Sequence, residues 1–494
     1  MKKIVFYLLP LLVLSITGCK KDYLETSPSN GVTGELLFSN YGAVTAALNG
    51  IYKEQFASGI GGSTGHDNFG QKAYDLQMDL MGNDMVVHTQ GYGWFNGDYS
   101  LTAWQSAVTG NQSDNAWFRY YDINKQANVL VNNVQGLEAT QLQKDVLQGQ
   151  AYGLRAYSYY YLSNLFQQTY KGNESKPGVP IYTQDTIVGK VRGTLQADYD
   201  LIMADLVKAE TLLTGKSRAD KSAIDVKVVQ GFKARIALLK NDWITAATEA
   251  KKARTGYSLM ARADYTKRSA FSSVSNPESM WGSIIPEDQA TIYASFWSHI
   301  DIGTGGYAAL GGQKKITKAL YDQIDDRDIR KAAFTAPGTG TTSNPEYNCM
   351  KFQTPVAGKW AGDYQYMRVS EMYLIEAEGL ARQGGKDADS RTVLEALVKA
   401  RFPDYSAAGL SGNDLINEIL LQRRIELWGE GFSLIDIKRL NQGLNRPQGA
   451  GNHGAPNFNP GVYTTSAADP RFLMRIPQRE LDNNINLTPA DQNP

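Results

Sequence analysis

One short segment, residues 92–98, concentrates side chains that suit the binding of a sugar. It holds three aromatic rings, an amide and a carboxylate, contributed by Tyr92, Trp94, Phe95, Asn96 and Asp98. A sugar has an apolar face of C–H groups and a rim of hydroxyls, so flat rings contact the face while amides and carboxylates bond to the rim. The glycines of this segment allow the backbone to present these side chains outward. The alternative is that Trp94 or Phe95 fills the local core.

A second candidate segment, residues 293–299, is followed by the glycine-rich stretch 303–306. Tyr293 and Trp297 are its candidate ligand contacts, and His66 and Asp67 in an earlier glycine-rich loop are candidate polar partners. The alternation in 293–299 also fits a strand that buries one face. The sequence therefore predicts a ligand site made of loop aromatics and short polar groups.

Catalytic arrangements have weaker support in this sequence. Glu426 and Glu430 are four residues apart, as two carboxylates on one helical face are, and a glycosidase needs such a pair. Because Arg423 and Arg424 stand nearby, we favour a structural ion network at a helix end. Residues 61–65 match G-x-S-x-G but lack the preceding strand and following helix of a nucleophile elbow. We assign no catalytic residue and predict that the chain is not an enzyme.

Metal and cofactor motifs also find little support. The acidic residues between 322 and 328 miss the spacing of an EF-hand calcium loop, and the four histidines are scattered without an i, i+4 pair. The sequence carries no phosphate-binding or dinucleotide fingerprint. It therefore predicts no metal and no cofactor, and leaves a structural calcium ion open.

The N-terminus has the pattern of an export signal that ends in a lipid-attachment site. Lys2 and Lys3 precede an apolar run, residues 4–14, that is too short to span a bilayer. The run leads into Leu-Ser-Ile-Thr-Gly and then Cys19, as in a bacterial lipoprotein box. We expect residues 1–18 to be removed and Cys19 to carry the lipid, since two or three acyl chains hold a protein firmly on a membrane.

Composition and charge exclude several classes of protein. Hydrophobic residues make up 42% of the 494 residues and charged residues 20%, which is typical of a globular protein. Fifty basic and fifty acidic residues give a formal net charge of zero, which argues against a nucleic-acid binder that depends on a basic surface. Cys349 lies in no metal or redox cluster and is expected to be a free thiol in a loop.

The periodicity of apolar residues predicts the helices that hold the candidate binding segments in place. Apolar residues recur on one face over residues 141–166, and paired stripes separated by a turn occur at 229–253 and 369–401. With 121–134 and 201–213, they predict a mostly α scaffold of tetratricopeptide-like hairpins that bury their apolar faces by stacking. Long segments rich in glycine, asparagine and aromatics, which we expect to be functional loops, lie at 57–115, 270–315, 335–365 and 443–470.

Further segments resemble the RagB/SusD family in residue type, order and spacing. They lie at 366–378, 422–432, 436–439, 475–477 and 491–494. The lipoprotein box, residues 22–25 and residues 154–157 at the head of an aromatic helix extend the likeness over nearly the whole chain. Residues 20–22 are similar to the surface-export tag of Bacteroidota lipoproteins.

This resemblance implies a SusD-like fold, in which loop-rich and partly β decorations surround a tetratricopeptide-like helical scaffold. It implies a lipoprotein on the outside of the outer membrane that captures oligosaccharides and delivers them to a SusC-like TonB-dependent transporter. Residues 19–40 are expected to form the lipid-anchored tether. Residues 41–265 are expected to form an N-terminal part with helical repeats and ligand loops, packed with a C-terminal part, 266–494, as one composite domain.

Other functions stay open at this point. The chain is alternatively a peptide-binding nutrient-uptake subunit, or a tetratricopeptide adaptor whose concave helical face binds protein. A surface glycosidase that uses Glu426 and Glu430 is less favoured. The sequence does not name the ligand, since rings and amides suit many glycans and aromatic peptides.

Overall fold

The computed structural model describes residues 37–494, so the predicted signal segment 1–18 and the lipidation site Cys19 lie outside the described residues. The described chain is mostly helical, which confirms the predicted fold class. Its helices are α1 (Tyr41–Glu54), α2 (Gln71–Leu80), α3 (Asn96–Tyr99), α4 (Gln112–Asn133), α5 (Gln141–Phe166), α6 (Leu195–Leu213), α7 (Val226–Lys240), α8 (Trp243–Arg254), α9 (Phe296–Ile300), α10 (Lys318–Tyr321), α11 (Val369–Ala381), α12 (Asp387–Lys399), α13 (Gly412–Glu426), α14 (Ser433–Arg439) and α15 (Gln478–Asn483). Its strands are β1 (Met85–Val87), β2 (Ser279–Ser283), β3 (Lys314–Ile316) and β4 (Tyr364–Arg368).

Local sequence signals set the ends of the long helices. Thr140 caps α5 through a capping box with Gln143, which satisfies two backbone N–H groups that a helix start otherwise leaves unpaired. The apolar stripe of α5, including Leu147, Ala151 and Leu154, is buried. The helix predicted over residues 141–166 is confirmed at both ends.

Successive helices pack side by side into a continuous scaffold. Helix α4 packs on α5, α5 on α6, α7 on α8, α8 on α11 and α11 on α12. The predicted hairpins are therefore the pairs α7–α8 and α11–α12. Gly379 lets α11 approach α8 closely, because a Cβ atom there would lie 2.8 Å from the carbonyl oxygen of Trp243.

Two small antiparallel sheets connect distant parts of the chain. Strand β2 pairs with β4, and β1 pairs with β3, where Met85 faces Ile316 and Val87 faces Lys314. The pairing of β1 with β3 places the loop that follows β1 beside the loop that precedes β3.

Two sequence expectations about these segments need correction. The predicted loop 57–115 contains α2 and β1, and the end of segment 293–299 forms the short helix α9 rather than a strand.

The core is shared by both parts of the chain. One cluster of buried side chains runs from Val44 to Ile476, and a smaller cluster lies around α11, α12 and α13. Cys349 is buried, and burial raises the pKa of its thiol to about 12. Residues on both sides of the predicted boundary at 265 contribute to the larger cluster.

Candidate functional site

Aromatic rings from five segments of the chain meet at the protein surface and form what we call the aromatic platform. Tyr92 is 70% exposed and Tyr293 is 44% exposed, while the other rings are half-buried. The platform is therefore open to a ligand. Its six members are His66, Tyr92, Trp94, Tyr293, Tyr307 and Trp360.

His66 lies at the centre of the platform. Its imidazole is nearly parallel to the ring of Trp94, with centroids 5.3 Å apart, and to the ring of Tyr293, at 5.9 Å. Its Nδ1 is 2.6 Å from the hydroxyl oxygen of Tyr307. Stacking and this hydrogen bond together fix the orientation of the three neighbouring rings.

The outer rings extend the platform in two directions. Tyr92 contacts Tyr307 edge-on at 5.3 Å between centroids, and Trp360 contacts Tyr293 edge-on at 5.8 Å. Tyr307 and Tyr293 lie 5.5 Å apart between these ends. The rings therefore form an unbroken series of contacts from Tyr92 through Tyr307 and Tyr293 to Trp360.

The backbone that presents Tyr92 and Trp94 is held in an unusual conformation. Gly93 has a φ of 85° and Phe95 has a φ of 64°, a left-handed region that disfavours residues with a side chain. Phe95 adopts it because its ring is buried between Phe69 and His299, with centroids 6.0 and 4.8 Å away. Burial of Phe95 therefore offsets the strain that turns its neighbours outward.

His299 supports the platform from below. Its ring stacks on Tyr307 at 5.0 Å, and its Nε2 donates to the backbone carbonyl of His66 at 2.8 Å. Burial lowers the pKa of His299 well below its ordinary value, so the imidazole stays neutral. A buried neutral ring thus connects the two central members of the platform.

Polar groups lie under the other side of the platform. The amide nitrogen of Gln112 donates to Asp67 at 2.9 Å and to Asp98 at 3.0 Å. Burial, together with the charge of Asp67, raises the pKa of Asp98 to about 8. Burial also lowers the pKa of Lys314 to about 8. Gln112 therefore links the two carboxyl groups, and the charge of Asp98 acts on Lys314.

The two sequence candidates come together in the structure. Tyr92 and Trp94 from the first segment join Tyr293 from the second, and His66 lies between them. Asn96 sits at the edge of this turn, where its side-chain amide donates to the carbonyl of Gln90 at 3.1 Å.

Three predicted contact residues are corrected, because they are buried. Phe95 and Trp297 are 2% exposed and Asp98 is 1% exposed. The indole N–H of Trp297 donates to the carbonyl of Gly362 at 2.9 Å, so both its ring and its polar group have partners in the core. Asp67 is half-buried and faces Gln112. These side chains support the platform and do not line it.

Sequence reasoning missed two members of the platform. Tyr307 contacts four of the other five rings, and Trp360 forms one end. Both lie in segments that were predicted to be long functional loops, 270–315 and 335–365. A single ring within a long loop gives no further local signal, so only the loop assignment pointed to them.

The two carboxylates of the glycosidase hypothesis, Glu426 and Glu430, lie in a largely buried ion network. Helix α13 ends at Glu426, so the expectation of one helical face is wrong and Glu430 lies in the turn beyond. Arg368 donates to Glu430 at 2.7 Å and to Glu426 at 3.2 Å, and Arg401 donates to Glu426 at 3.1 Å. Burial opposes ionisation of Glu430, but Arg368 and Lys351 lower its pKa to about 2. The favoured interpretation, a structural ion network, matches this arrangement.

Residues 37–494 hold no group of three or more His, Cys, Asp or Glu side chains arranged for a metal ion. Over the same range, none of the helices has the length and apolar character needed to cross a membrane.

Two family models match this chain, and together they identify its family. The SusD family model matches residues 351–494, and a model described as starch-binding associating with outer membrane matches residues 55–238. The chain belongs to the SusD family, as its sequence motifs predicted.

Individual relatives agree over nearly the full length. SusD-like protein P2 of Formosa agariphila is 24% identical, and the match covers 97% of each chain. The crystal structure of a SusD-like carbohydrate binding protein from Bacteroides vulgatus is 29% identical, with a TM-score of 0.79 over 92% of this chain and 98% of that one. Surface glycan-binding protein A from Bacteroides thetaiotaomicron, solved in complex with laminarihexaose, has the same fold at 17% identity, with a TM-score of 0.69 over 91% and 98% of the two chains.

Proposed function

We propose that this protein binds oligosaccharides at the cell surface through the aromatic platform. The observation that carries the proposal is the convergence of six rings from five segments on one exposed surface. Exposed rings cost free energy in water, and a ligand with apolar C–H faces recovers it. The names of the relatives support a carbohydrate ligand, since one is a carbohydrate binding protein and another was solved in complex with laminarihexaose.

The site is suited to capture without chemistry. The platform rings offer flat surfaces and hydroxyl groups, while the carboxylates nearest to them, Asp67 and Asp98, are engaged by Gln112. Glu426 and Glu430 are ionised and held by arginines, so neither is placed to donate a proton to a glycosidic oxygen. We therefore propose a binding protein that releases its ligand unchanged.

We further propose that the protein is attached to the outer membrane by lipid on Cys19 and passes its ligand to a SusC-like TonB-dependent transporter. The lipoprotein box and the family membership support this arrangement. The chain supplies no energy for transport in this scheme. Its part is to hold the oligosaccharide by contacts that the transporter can replace.

Binding and turnover can be measured together on the chain from Lys20 onward. Neutral oligosaccharides, with laminarihexaose first, are screened by affinity electrophoresis and titration calorimetry, and the mixtures are then examined for hydrolysis products. We expect binding without products, and loss of binding in the double variant Trp94→Ala/Tyr293→Ala. Absence of binding to every glycan, with peptides bound instead, would refute the proposal. Products that disappear in Glu426→Gln, while the variant stays folded and still binds the oligosaccharide, would show a glycosidase.

A further inference from the structure

A cleft of about 540 Å³ lies beside the Tyr92–Tyr307 end of the platform. Its residues come from the same loops: Thr89 lies three residues before Tyr92, and Ala309 and Gly311 follow Tyr307. The hydroxyl of Thr89 donates to the carbonyl of Gly311, which joins the two loops. A glycan that extends past Tyr92 therefore reaches this cleft next.

Six of the eight residues that line the cleft have polar side chains, and none of the eight carries a fixed charge. Hydroxyl side chains form its outer wall, and half-buried His88 lies on the other side. Burial and the nearby charge of Lys315 lower the pKa of His88, so its ring is neutral. The lining side chains are His88, Thr89, Gln313, Thr341, Thr342 and Ser343.

Gln313 leaves a hydrogen-bond acceptor unused in this cleft. It is 2% exposed, and its side-chain nitrogen donates to the carbonyl of Ser343 at 3.3 Å. Within residues 37–494 its Oε1 is buried and accepts no hydrogen bond. Its backbone carbonyl accepts from the N–H of His88 at 3.0 Å, which continues the pairing of β1 and β3 and fixes the residue in place. An unpaired buried acceptor is costly, so a donor from outside stabilises it.

We propose that this cleft is a second subsite, which binds an uncharged, hydroxyl-rich part of the same glycan beyond the platform. Rotation of the Gln313 side chain brings Oε1 to the cleft surface, where a sugar hydroxyl donates to it, and the threonine and serine hydroxyls of the wall donate to the sugar. Because the lining offers no fixed cation, the subsite favours neutral sugars over sulfated or uronic ones. This inference rests on the proposed glycan-binding function and adds the length and charge of the preferred ligand.

The test compares short and long oligosaccharides on Gln313→Leu. Laminari-, malto-, cello- and manno-oligosaccharides of three and six units are titrated by calorimetry against the wild type and the variant. We expect the six-unit member of any series that binds to lose about tenfold in affinity, the worth of one hydrogen bond in a buried site. The three-unit member, held by the platform alone, should keep its affinity.

Gln230→Leu on α7 is the matched control. Gln230 is also buried, its nitrogen donates to Glu210 at 2.9 Å, and its Oε1 accepts no hydrogen bond within the described chain. Thr342→Val, a change on the exposed wall, tests the cleft without disturbing the core. Thermal melting curves establish that each variant is folded.

Each outcome has a distinct meaning. Equal affinity of wild type and Gln313→Leu for six-unit sugars would refute the subsite, and so would equal losses for both lengths. Tighter binding of a sulfated or uronic hexasaccharide than of its neutral counterpart would refute the charge preference. If no oligosaccharide of any length binds to the wild type, the proposed glycan-binding function fails and the subsite fails with it.

Discussion

Replacing Trp94 with alanine should weaken oligosaccharide binding by about 10- to 70-fold. Trp94 is half-buried and one face of its ring packs on His66, so the ligand contacts the remaining surface. A tryptophan side chain offers up to about 250 Å² and only a minor part of Trp94 is exposed, so this part and the sugar face placed on it together bury roughly 100 Å² of apolar surface. At about 25 cal/mol per Å², this area contributes about 2.5 kcal/mol, and ordering of the ligand reduces it to about 1.5–2.5 kcal/mol. Since 1.4 kcal/mol corresponds to about tenfold in affinity, the stated range follows.

Titration calorimetry on wild type and Trp94→Ala measures this difference directly. The control is Trp243→Ala, because Trp243 is another half-buried tryptophan, packed under Arg382 on the helical scaffold. We expect the control to keep its affinity even if its melting temperature falls. Unchanged affinity in folded Trp94→Ala would refute the platform as the binding surface, and an equal loss in both variants would show that global stability was responsible.

Three further predictions concern the supporting structure. Glu426→Gln should lower stability by about 3–5 kcal/mol, seen as a large fall in melting temperature, because it leaves Arg368 and Arg401 buried without their full charge partner; a shift of only one or two degrees would contradict this. Asp98 has a folded pKa of about 8, above the ordinary value near 3.9, so the folded protein loses stability as pH rises from about 4 to 8. Asp98→Asn should therefore melt higher relative to wild type at pH 8 than at pH 5, and an equal difference at the two pH values would show that Asp98 is not responsible. Gly379→Ala should destabilise by about 1–3 kcal/mol through its clash with α8. Gly50→Ala in α1, where the new Cβ meets open space, should stabilise the protein by about 0.5–1 kcal/mol. Denaturant titration of both variants measures the two changes, and a Gly379→Ala variant more stable than Gly50→Ala would refute the packing argument.

The helices of this protein could be predicted because their determinants are local. The apolar stripe of α5 and its cap at Thr140 lie within the helix or next to it, so the sequence alone indicated residues 141–166. The end of α13 was harder to predict. Glu426 and Glu430 have helical spacing, yet the chain leaves the helix at Leu427 and turns through Gly429, which has a φ of 80°.

Individual ring positions were predicted less well than the segments that contribute to the aromatic platform. The segments 92–98 and 293–299 have the residue types for ligand binding, but each also contains a ring that the core needs. Phe95 and Trp297 are buried, while Tyr92 and Tyr293 are exposed. The tyrosine hydroxyl suits an exposed position, yet Tyr99, four residues after Phe95, is buried too, so residue type alone does not decide the outcome. The side to which each ring turns depends on what lies beneath it, such as His299 under Tyr307.

The sequence by itself determined the family, the helical scaffold and the kind of residue found in the candidate site. These follow from periodicity, capping and motif spacing, which act over a few residues or are read directly from the chain. Only the tertiary structure decided which aromatics form the platform and placed Gln313 beside it. Rings up to 294 positions apart, from His66 to Trp360, meet because the pairing of β1 with β3 and the packing of the core bring their loops together. Such long-range placement is set by the whole fold, and no local pattern specifies it.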